Sequence, residues 1–286
     1  MKLIDTHCHI HFEAYKKDME EVIKRALDEG VGMITVGTQT TTSRNAVDVA
    51  ERYNNLWATL GLHPNHLHAQ EFFDDDELPP EKRVTGKIKT RAEWFDPKQY
   101  RELAEHPKVV AIGEFGLDYY RIPPKVDREQ MIADQKASVE AQLRFATEVN
   151  KPVIIHSRDA HEDQFGILRK AIDRGDIPRR GVIHCFSGTA EHAQQYRKLD
   201  FYVGIGGIVT FSKDLQAAVS EIPLEQILIE TDAPYLSPEP RRGKRNEPAH
   251  VKHVAEKIAE IKGLNLDEVA EITTANAEKL FGIKLS

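Results

Sequence analysis

The chain has 286 residues and a formal net charge of −7, with 40% hydrophobic and 30% charged residues, which is the balance of a soluble globular protein. That charge argues against a broadly basic nucleic-acid coat while leaving room for a local basic patch, and no apolar run approaches the roughly 18 residues of a membrane span. The N-terminus, Met1-Lys2-Leu3-Ile4-Asp5, has no long apolar stretch of the secretory type, so the cytoplasm is the expected compartment and Cys8 and Cys185 are expected to be reduced, buried thiols.

Strand and helix signals alternate from end to end. Leu3 to His7 reads as a first strand. Asp18 then opens a helix, with Glu21 placed for a capping box and Gly30 for the stop. Met33–Val36 and Trp57–Leu60 read as the second and third strands. Asp96-Pro97 marks a helix start, an N-cap followed by proline at the first helical position. Val109–Ile112 is the fourth strand, and Asp127 to Val149 carries apolar residues at three- and four-residue spacing. Pro152–Ile155, Gly181–Ile183, Phe201–Ile205 and Ile227–Glu230 complete the set. Eight strands alternating with helices predict a (β/α)₈ TIM barrel spanning residues 1–286 as a single domain. An open doubly wound sheet is the alternative, but it gives the polar residues at five of these strand ends no reason to converge.

One stretch breaks the rhythm. Residues 69–95 contain Asp74-Asp75-Asp76-Glu77, then Pro79-Pro80, then a basic segment from Lys87 to Arg91. This charged insertion follows the third strand and is expected to hang over the mouth of the barrel.

Polar residues with metal-binding chemistry close the apolar runs: His7 and His9, Glu114, His156, His184 and Asp232. Residues two apart in a strand share a face, so His7 and His9 point one way and Cys8 the other. A lone histidine at a strand end is usually structural. Five strand ends carrying suitable residues make coincidence a poor account, and a barrel gathers such residues at its C-terminal mouth. Glu230, two residues before Asp232, is placed either to touch the site or to pair below it.

The motifs Asp5-Thr6-His7-Cys8-His9, Gly61-Leu62-His63-Pro64, Gly113-Glu114-Phe115-Gly116-Leu117-Asp118 and Pro152-Val153-Ile154-Ile155-His156-Ser157-Arg158 occur in that order. They are followed by His184-Cys185-Phe186-Ser187-Gly188, Glu230-Thr231-Asp232-Ala233-Pro234-Tyr235-Leu236 and Arg245-Asn246-Glu247-Pro248. Together they resemble the TatD family of metal-dependent deoxyribonucleases, within the amidohydrolase-type barrels, over all of the chain but the insertion. The resemblance implies two divalent ions, with Zn, Mg or Mn the leading choices and Fe or Ni also compatible. By it, His7, His9, Glu114 and Asp232 surround one ion, Glu114, His156 and His184 the other, and Glu114 bridges. Asp232 is then the expected general base, and Asp232 and Glu114 the expected catalytic pair. His63, Arg158, Ser187, Arg245 and Asn246 are expected to hold phosphate oxygens, helped by the basic run Arg241 to Arg245. Tyr119, Tyr120, Phe186 and Tyr235 are candidates for stacking on bases. Two features depart from the family pattern: Asn65 stands where a histidine commonly follows His-Pro, with His66 next, and the insertion is long.

The expected activity is hydrolysis of DNA, with RNA as a further substrate, at single-stranded ends. No membrane or obligate protein partner is expected. A carbonyl hydrolase on the same metals (lactonase, amidase or deacylase) is the alternative. Such barrels often bridge their metals with a carboxylated lysine, whereas Glu114 stands on the fourth strand here and Lys151 precedes the fifth. A non-catalytic binding protein is the third reading, disfavoured because every expected ligand is present.

Overall fold

Short runs rich in valine and isoleucine suit strands buried on both faces. The structure, a computed structural model, describes residues 1–72, 88–122 and 126–286. Those runs form β1 (Leu3–Cys8), β2 (Val31–Val36), β3 (Leu56–Leu60), β4 (Val109–Asp118), β5 (Val153–Arg158), β6 (Gly181–Ile183), β7 (Tyr202–Ile205) and β8 (Ile227–Ile229). All are parallel and paired in chain order in one eight-stranded sheet. Between and after them run α1 (Met19–Asp28), α2 (Thr40–Ala50), α3 (Pro97–Ala104), α4 (Arg128–Glu148), α5 (His161–Asp173), α6 (Ala190–Lys198), α7 (Lys213–Glu221), α8 (Val251–Lys262) and α9 (Leu266–Phe281).

The sheet curls into a barrel, as expected. β8 meets β1 through a seam rather than a full ladder. The Asp232 N–H donates to His7 O at 2.8 Å and the His9 N–H to Ala233 O at 2.7 Å. Lower down, the buried Asp5 carboxylate accepts from Thr231 N and Thr231 Oγ1 at 2.8 and 2.6 Å. The seam thus ties the chain segments of His7, His9 and Asp232 directly to one another.

Alternating side chains split the core in two. Ile4, Ile34, Val110, Ile154, Val182 and Leu228 cluster with Leu280, Phe281 and Leu285, so the end of α9 and the tail plug the barrel floor. Leu3, Met33, Val109, Val153 and Ile183 join the larger core beneath the surrounding helices. Cys8 lies in that second cluster with Leu3, five residues away, which strict alternation forbids. A register shift between Asp5 and Cys8 resolves the conflict, since one extra residue swaps the faces and leaves Cys8 outside with His7 and His9 inside. A second shift, between Ile112 and Phe115, brackets Glu114.

Three expectations need adjusting. β4 and β5 run on through Asp118 and Arg158, where hydropathy alone stops them at Ile112 and Ile155. Their polar ends pair strand to strand, Gly116 with His156 and Asp118 with Arg158. Asp18 does precede α1, but its carboxylate makes no cap and receives Arg245 instead. Cys8 is buried, whereas Cys185 is only partly so; both are free thiols. Asp96 caps α3 as read, and Asp127 caps α4, which the apolar periodicity did not mark.

Of the 69–95 insertion, residues 73–87 lie outside the described residues, and with them the acidic run, the proline pair and Lys87. Its flanks form a two-stranded antiparallel ribbon, Gln70–Phe72 against Ile88–Thr90. The return is pinned by the Glu93 N–H donating to His66 O at 2.9 Å. Among the described residues no helix is long and apolar enough to cross a membrane.

Candidate metal centre

The C-terminal ends of β1, β3, β4, β5, β6 and β8 bring one cluster of buried imidazoles and carboxylates to the mouth. His7 Nε2 and His9 Nε2 are 3.3 Å apart. Asp232 Oδ1 lies 3.4 Å from His9 Nε2 and 3.8 Å from His7 Nε2. Glu114 stands across from them with its two oxygens facing different neighbours. Oε2 is 3.4 Å from His7 Nε2. Oε1 is 2.8 Å from His156 Nδ1, 3.4 Å from His63 Nε2 and 3.6 Å from His184 Nε2. His184 stacks on His7 with ring centroids 3.5 Å apart and closes the gap between the two groups.

All six residues read from the sequence as ligands therefore meet, with Glu114 between the two sets. Two further residues join them. His63, expected only as a substrate contact, sits with Glu114 and His156 in a potential metal-holding group. Asp118, quoted in a motif but given no role, places Oδ2 3.2 Å from His156 Nε2. Its signal was its phase: in an extended β4, residues 114, 116 and 118 share a face.

The imidazoles are oriented from behind. A carbonyl oxygen can only accept, so His9 donates Nδ1–H to Val36 O at 2.8 Å and turns its Nε2 toward the centre. Glu230 Oε1 lies 2.8 Å from His184 Nδ1, an ion-pair contact that leaves the Nε2 of His184 facing Glu114. It also accepts the Cys185 N–H at 2.6 Å. A Cβ on Gly204 would collide with the Glu230 carboxylate, so only glycine leaves room for it. Cys185 and Asp232 both hold left-handed backbone, φ 46° and 56°, which is uncommon outside glycine and concentrates at functional sites.

Two buried glutamines on α4 brace the same strand ends. Gln142 Oε1 accepts from Leu62 N at 2.9 Å and Nε2 donates to Leu62 O at 3.0 Å. Gln135 treats Asp118 identically, at 2.9 Å for both bonds. Each amide replaces a neighbouring strand for one residue beside the cluster. Sequence periodicity marks the α4 core face as apolar and so misses both.

The electrostatics call for a cation. Burial lowers His7 to about 4, with His184 adding to the shift. Burial also works against protonated His156, but hydrogen bonds to Asp118 and Glu114 outweigh it and raise His156 to about 9. For His184, burial is outweighed by Glu230 and Glu114, which raise it to about 10. Burial opposes charge on Glu114 as well, yet His63 and His184 hold it well below the usual carboxylate range. The carboxylates thus keep their charge by drawing protons onto two histidines, and a divalent cation is the natural replacement. The nitrogen–oxygen donor set, with lone pairs converging from His7, His9 and Asp232, fits such an ion.

The expected substrate residues divide. Arg158, at the end of β5, lies with its guanidinium carbon 4.0 Å from the ring centre of Tyr120, and Tyr120 is 63% exposed. Ser187 is exposed in the loop after β6. Arg245 is instead committed to the protein: it forks onto Asp18 at 2.9 and 2.6 Å and donates to Ala14 O at 2.7 Å. Asn246 is fully buried and donates to Thr231 O and Tyr235 O. These two residues fasten the loop that carries Asp232. Phe186 is 1% exposed and packs in the core, so it offers no stacking face. The Tyr119 hydroxyl donates to Asp163 at 2.7 Å, and the Tyr235 ring lies 6.0 Å from that of His9. Lys151 Nζ donates to Val109 O at 2.6 Å at the barrel floor, far from any role as a bridging carbamate.

Residues 4–282 match a family described as TatD related DNase. The metal-dependent hydrolase YabD of Bacillus subtilis is 42% identical over 286 residues, covering 98% of this chain and 99% of the relative. The 3'-5' ssDNA/RNA exonuclease TatD of Citrobacter rodentium is 36% identical over 292 residues, with 99% of each chain covered. The crystal structure of YJJV, a TatD homologue from Escherichia coli K12, superposes with a TM-score of 0.81 at 28% identity, covering 99% of this chain and 98% of that one.

Proposed function

The chain belongs to the family of TatD-related DNases, and from that premise we propose that it is a metal-dependent 3'-5' exonuclease that trims single-stranded DNA, and RNA as well. The observation that carries the proposal is the position of Glu114, whose two carboxylate oxygens face two separate groups of buried nitrogens. That is the disposition of a carboxylate bridging two cations. On this reading His7, His9, Asp232 and Glu114 would hold one ion, and Glu114, His63, His156 and His184 would hold the other, with Zn, Mg or Mn the leading candidates.

Divalent cations at such a site supply Lewis-acid polarisation of phosphoryl oxygens and acidify a water molecule. The remaining work belongs to the side chains. Asp232 takes the proton of the attacking water on its carboxylate and returns it to the leaving oxygen. Its ionisation is assured: burial opposes the charge, but the His9 hydrogen bond and His184 keep its pKa lowered. Arg158, planar and always charged, suits a phosphate of the incoming strand, and Tyr120 beneath it offers a ring to the terminal base. Ser187, exposed in the loop after β6, is a further candidate for a phosphate oxygen. A net charge of −7 suits gripping one strand end through a few cations at the mouth rather than coating a duplex.

The test is an end-labelled single-stranded oligonucleotide, DNA or RNA, incubated with Mg²⁺, Mn²⁺ or Zn²⁺ and with EDTA, beside Asp232→Asn. Metal-dependent shortening from the 3' end, reduced about 10²–10⁴-fold in the variant, is expected for loss of a general base. Metal-loaded protein that leaves every strand intact yet hydrolyses esters or lactones would overturn the nuclease reading in favour of the carbonyl one.

A further inference from the structure

At the opposite end of the barrel from the metal centre a second cavity, of about 350 Å³, opens among the N-terminal ends of β6, β7 and β8. Arg179 and Arg180 enter it from the turn before β6, Arg197 from α6 and Lys279 from α9. In a chain with a net charge of −7, four cations facing one cavity need an account. Exposed cations usually find carboxylates. Asp200 and Glu225 also line this cavity, yet among the described residues none of the four cations has a carboxylate within 4.0 Å, although ion pairs are common elsewhere on the surface. The nearest hydrogen bonds are to main chain only: Arg179 reaches Leu280 O at 3.4 Å and Arg180 reaches Ile177 O at 2.9 Å.

The wall is as specific as the charge. Tyr202, half-buried, presents an aromatic side chain at the start of β7. Gln226, 6% exposed, spends its amide nitrogen on Ala193 O and Phe201 O, while its Oε1 has no hydrogen-bond partner. Arg180 Nε is likewise buried without a partner. A cavity of this size holds one small molecule. Unpaired guanidinium groups select a phosphate, which they grip in a fork. An aromatic side chain on the wall suits a planar ring.

We propose that this floor cavity is a binding site for a phosphorylated small molecule of mononucleotide size, with the phosphate on Arg179, Arg180 and Arg197 and the ring against Tyr202. The site is independent of the chemistry at the mouth. If the nuclease reading holds as well, a product of the mouth is a ligand for the floor.

Deoxyadenosine 5'-monophosphate is the probe, with deoxyadenosine as the control lacking phosphate, both titrated calorimetrically. Four metal-loaded proteins are compared: unaltered, Asp232→Asn at the mouth, and Arg197→Ala and Lys279→Glu at the floor. Arg197 and Lys279 are exposed and, among the described residues, make no side-chain hydrogen bond or ion pair, so both variants are expected to melt with the unaltered protein. The nucleotide should bind the unaltered and Asp232→Asn proteins alike, about tenfold more weakly to each floor variant, and more weakly with added salt. Deoxyadenosine should bind at neither end. The proposal is overturned if the floor variants bind the nucleotide as tightly as the unaltered protein, or if Asp232→Asn alone abolishes binding.

Discussion

Replacing Glu230 by glutamine removes a charge and almost no shape. Glu230 Oε1 lies 2.8 Å from His184 Nδ1, accepts from Cys185 N at 2.6 Å, and belongs to a side chain 1% exposed. A glutamine carbonyl oxygen can accept both bonds, so His184 keeps Nε2 turned to the centre. What disappears is the charge assistance. A hydrogen bond to an ionised group contributes about 1.5–3 kcal/mol and one between neutral groups about 0.5–1.5. The difference, roughly 1–1.5 kcal/mol, corresponds to about a tenfold loss of metal affinity. Glu230→Ala removes the acceptor altogether and leaves the Cys185 N–H buried and unpaired. Its loss should lie nearer the upper part of the about 10–100-fold range for partners that orient a metal-binding histidine, with a lower Tm. Metal affinity is measured by competition with a chelator, and nuclease rate as a function of free metal. The glutamine variant should regain near-normal kcat at saturating metal, because only occupancy is impaired. If both variants bind metal normally while both lose stability, Glu230 serves the packing of the barrel and the argument from its geometry is wrong.

Metal loading should release protons. At pH 7 the metal-free protein holds protons on His156 and His184, raised to about 9 and about 10, and up to about two protons should appear on metal addition in an indicator assay; none released would refute the charge balance drawn above. The same shifts set the stability of the metal-free protein. The two raised histidines contribute fully below their ordinary value of 6.5, and that contribution is lost as pH rises through 9 and 10. His7, lowered to about 4, acts in the opposite sense, contributing above 6.5 and failing as pH falls toward 4. Thermal melts across this interval should therefore peak near neutrality, and a curve flat on the alkaline side counts against the histidine assignments. Gln142→Leu leaves both Leu62 backbone groups buried without partners; a loss of about 2–4 kcal/mol is expected by denaturant titration, and a loss under about 0.5 kcal/mol would mean that the strand end satisfies itself another way. Arg245→Ala breaks a fork onto Asp18 and should lower stability by about 1–3 kcal/mol without altering the salt dependence of oligonucleotide binding. Arg158→Ala should flatten that salt slope by about 0.7 for one phosphate contact on a single strand. The reverse pattern would return Arg245 to the phosphate and remove Arg158 from it.

The strands were legible because their cores are apolar, and the ligands because each closes such a run. Where reading failed, it failed at polar residues that do strand or backbone work. β4 reads as ending at Ile112, since Gly113 and Glu114 interrupt the apolar run, yet six more residues stay in the sheet through pairing with β5. That error hid Asp118. A four-residue strand ends before its phase reaches 118, whereas a ten-residue strand delivers Glu114 to Nδ1 and Asp118 to Nε2 of His156. Arg245 misled for a related reason. Its place in a basic run after β8 suggests phosphate, but a guanidinium fits a carboxylate fork equally well, and Asp18, 227 positions away in sequence, supplies one. Nothing local distinguishes the two partners. The distinction that geometry adds is between cations that have found a carboxylate, as Arg245 has, and cations that have not, as at the barrel floor. Composition counts both as surface charge. Only the unpaired kind has its charge and hydrogen-bonding capacity left for a ligand, and so the floor cavity invites a binding experiment where the more conspicuous basic run does not.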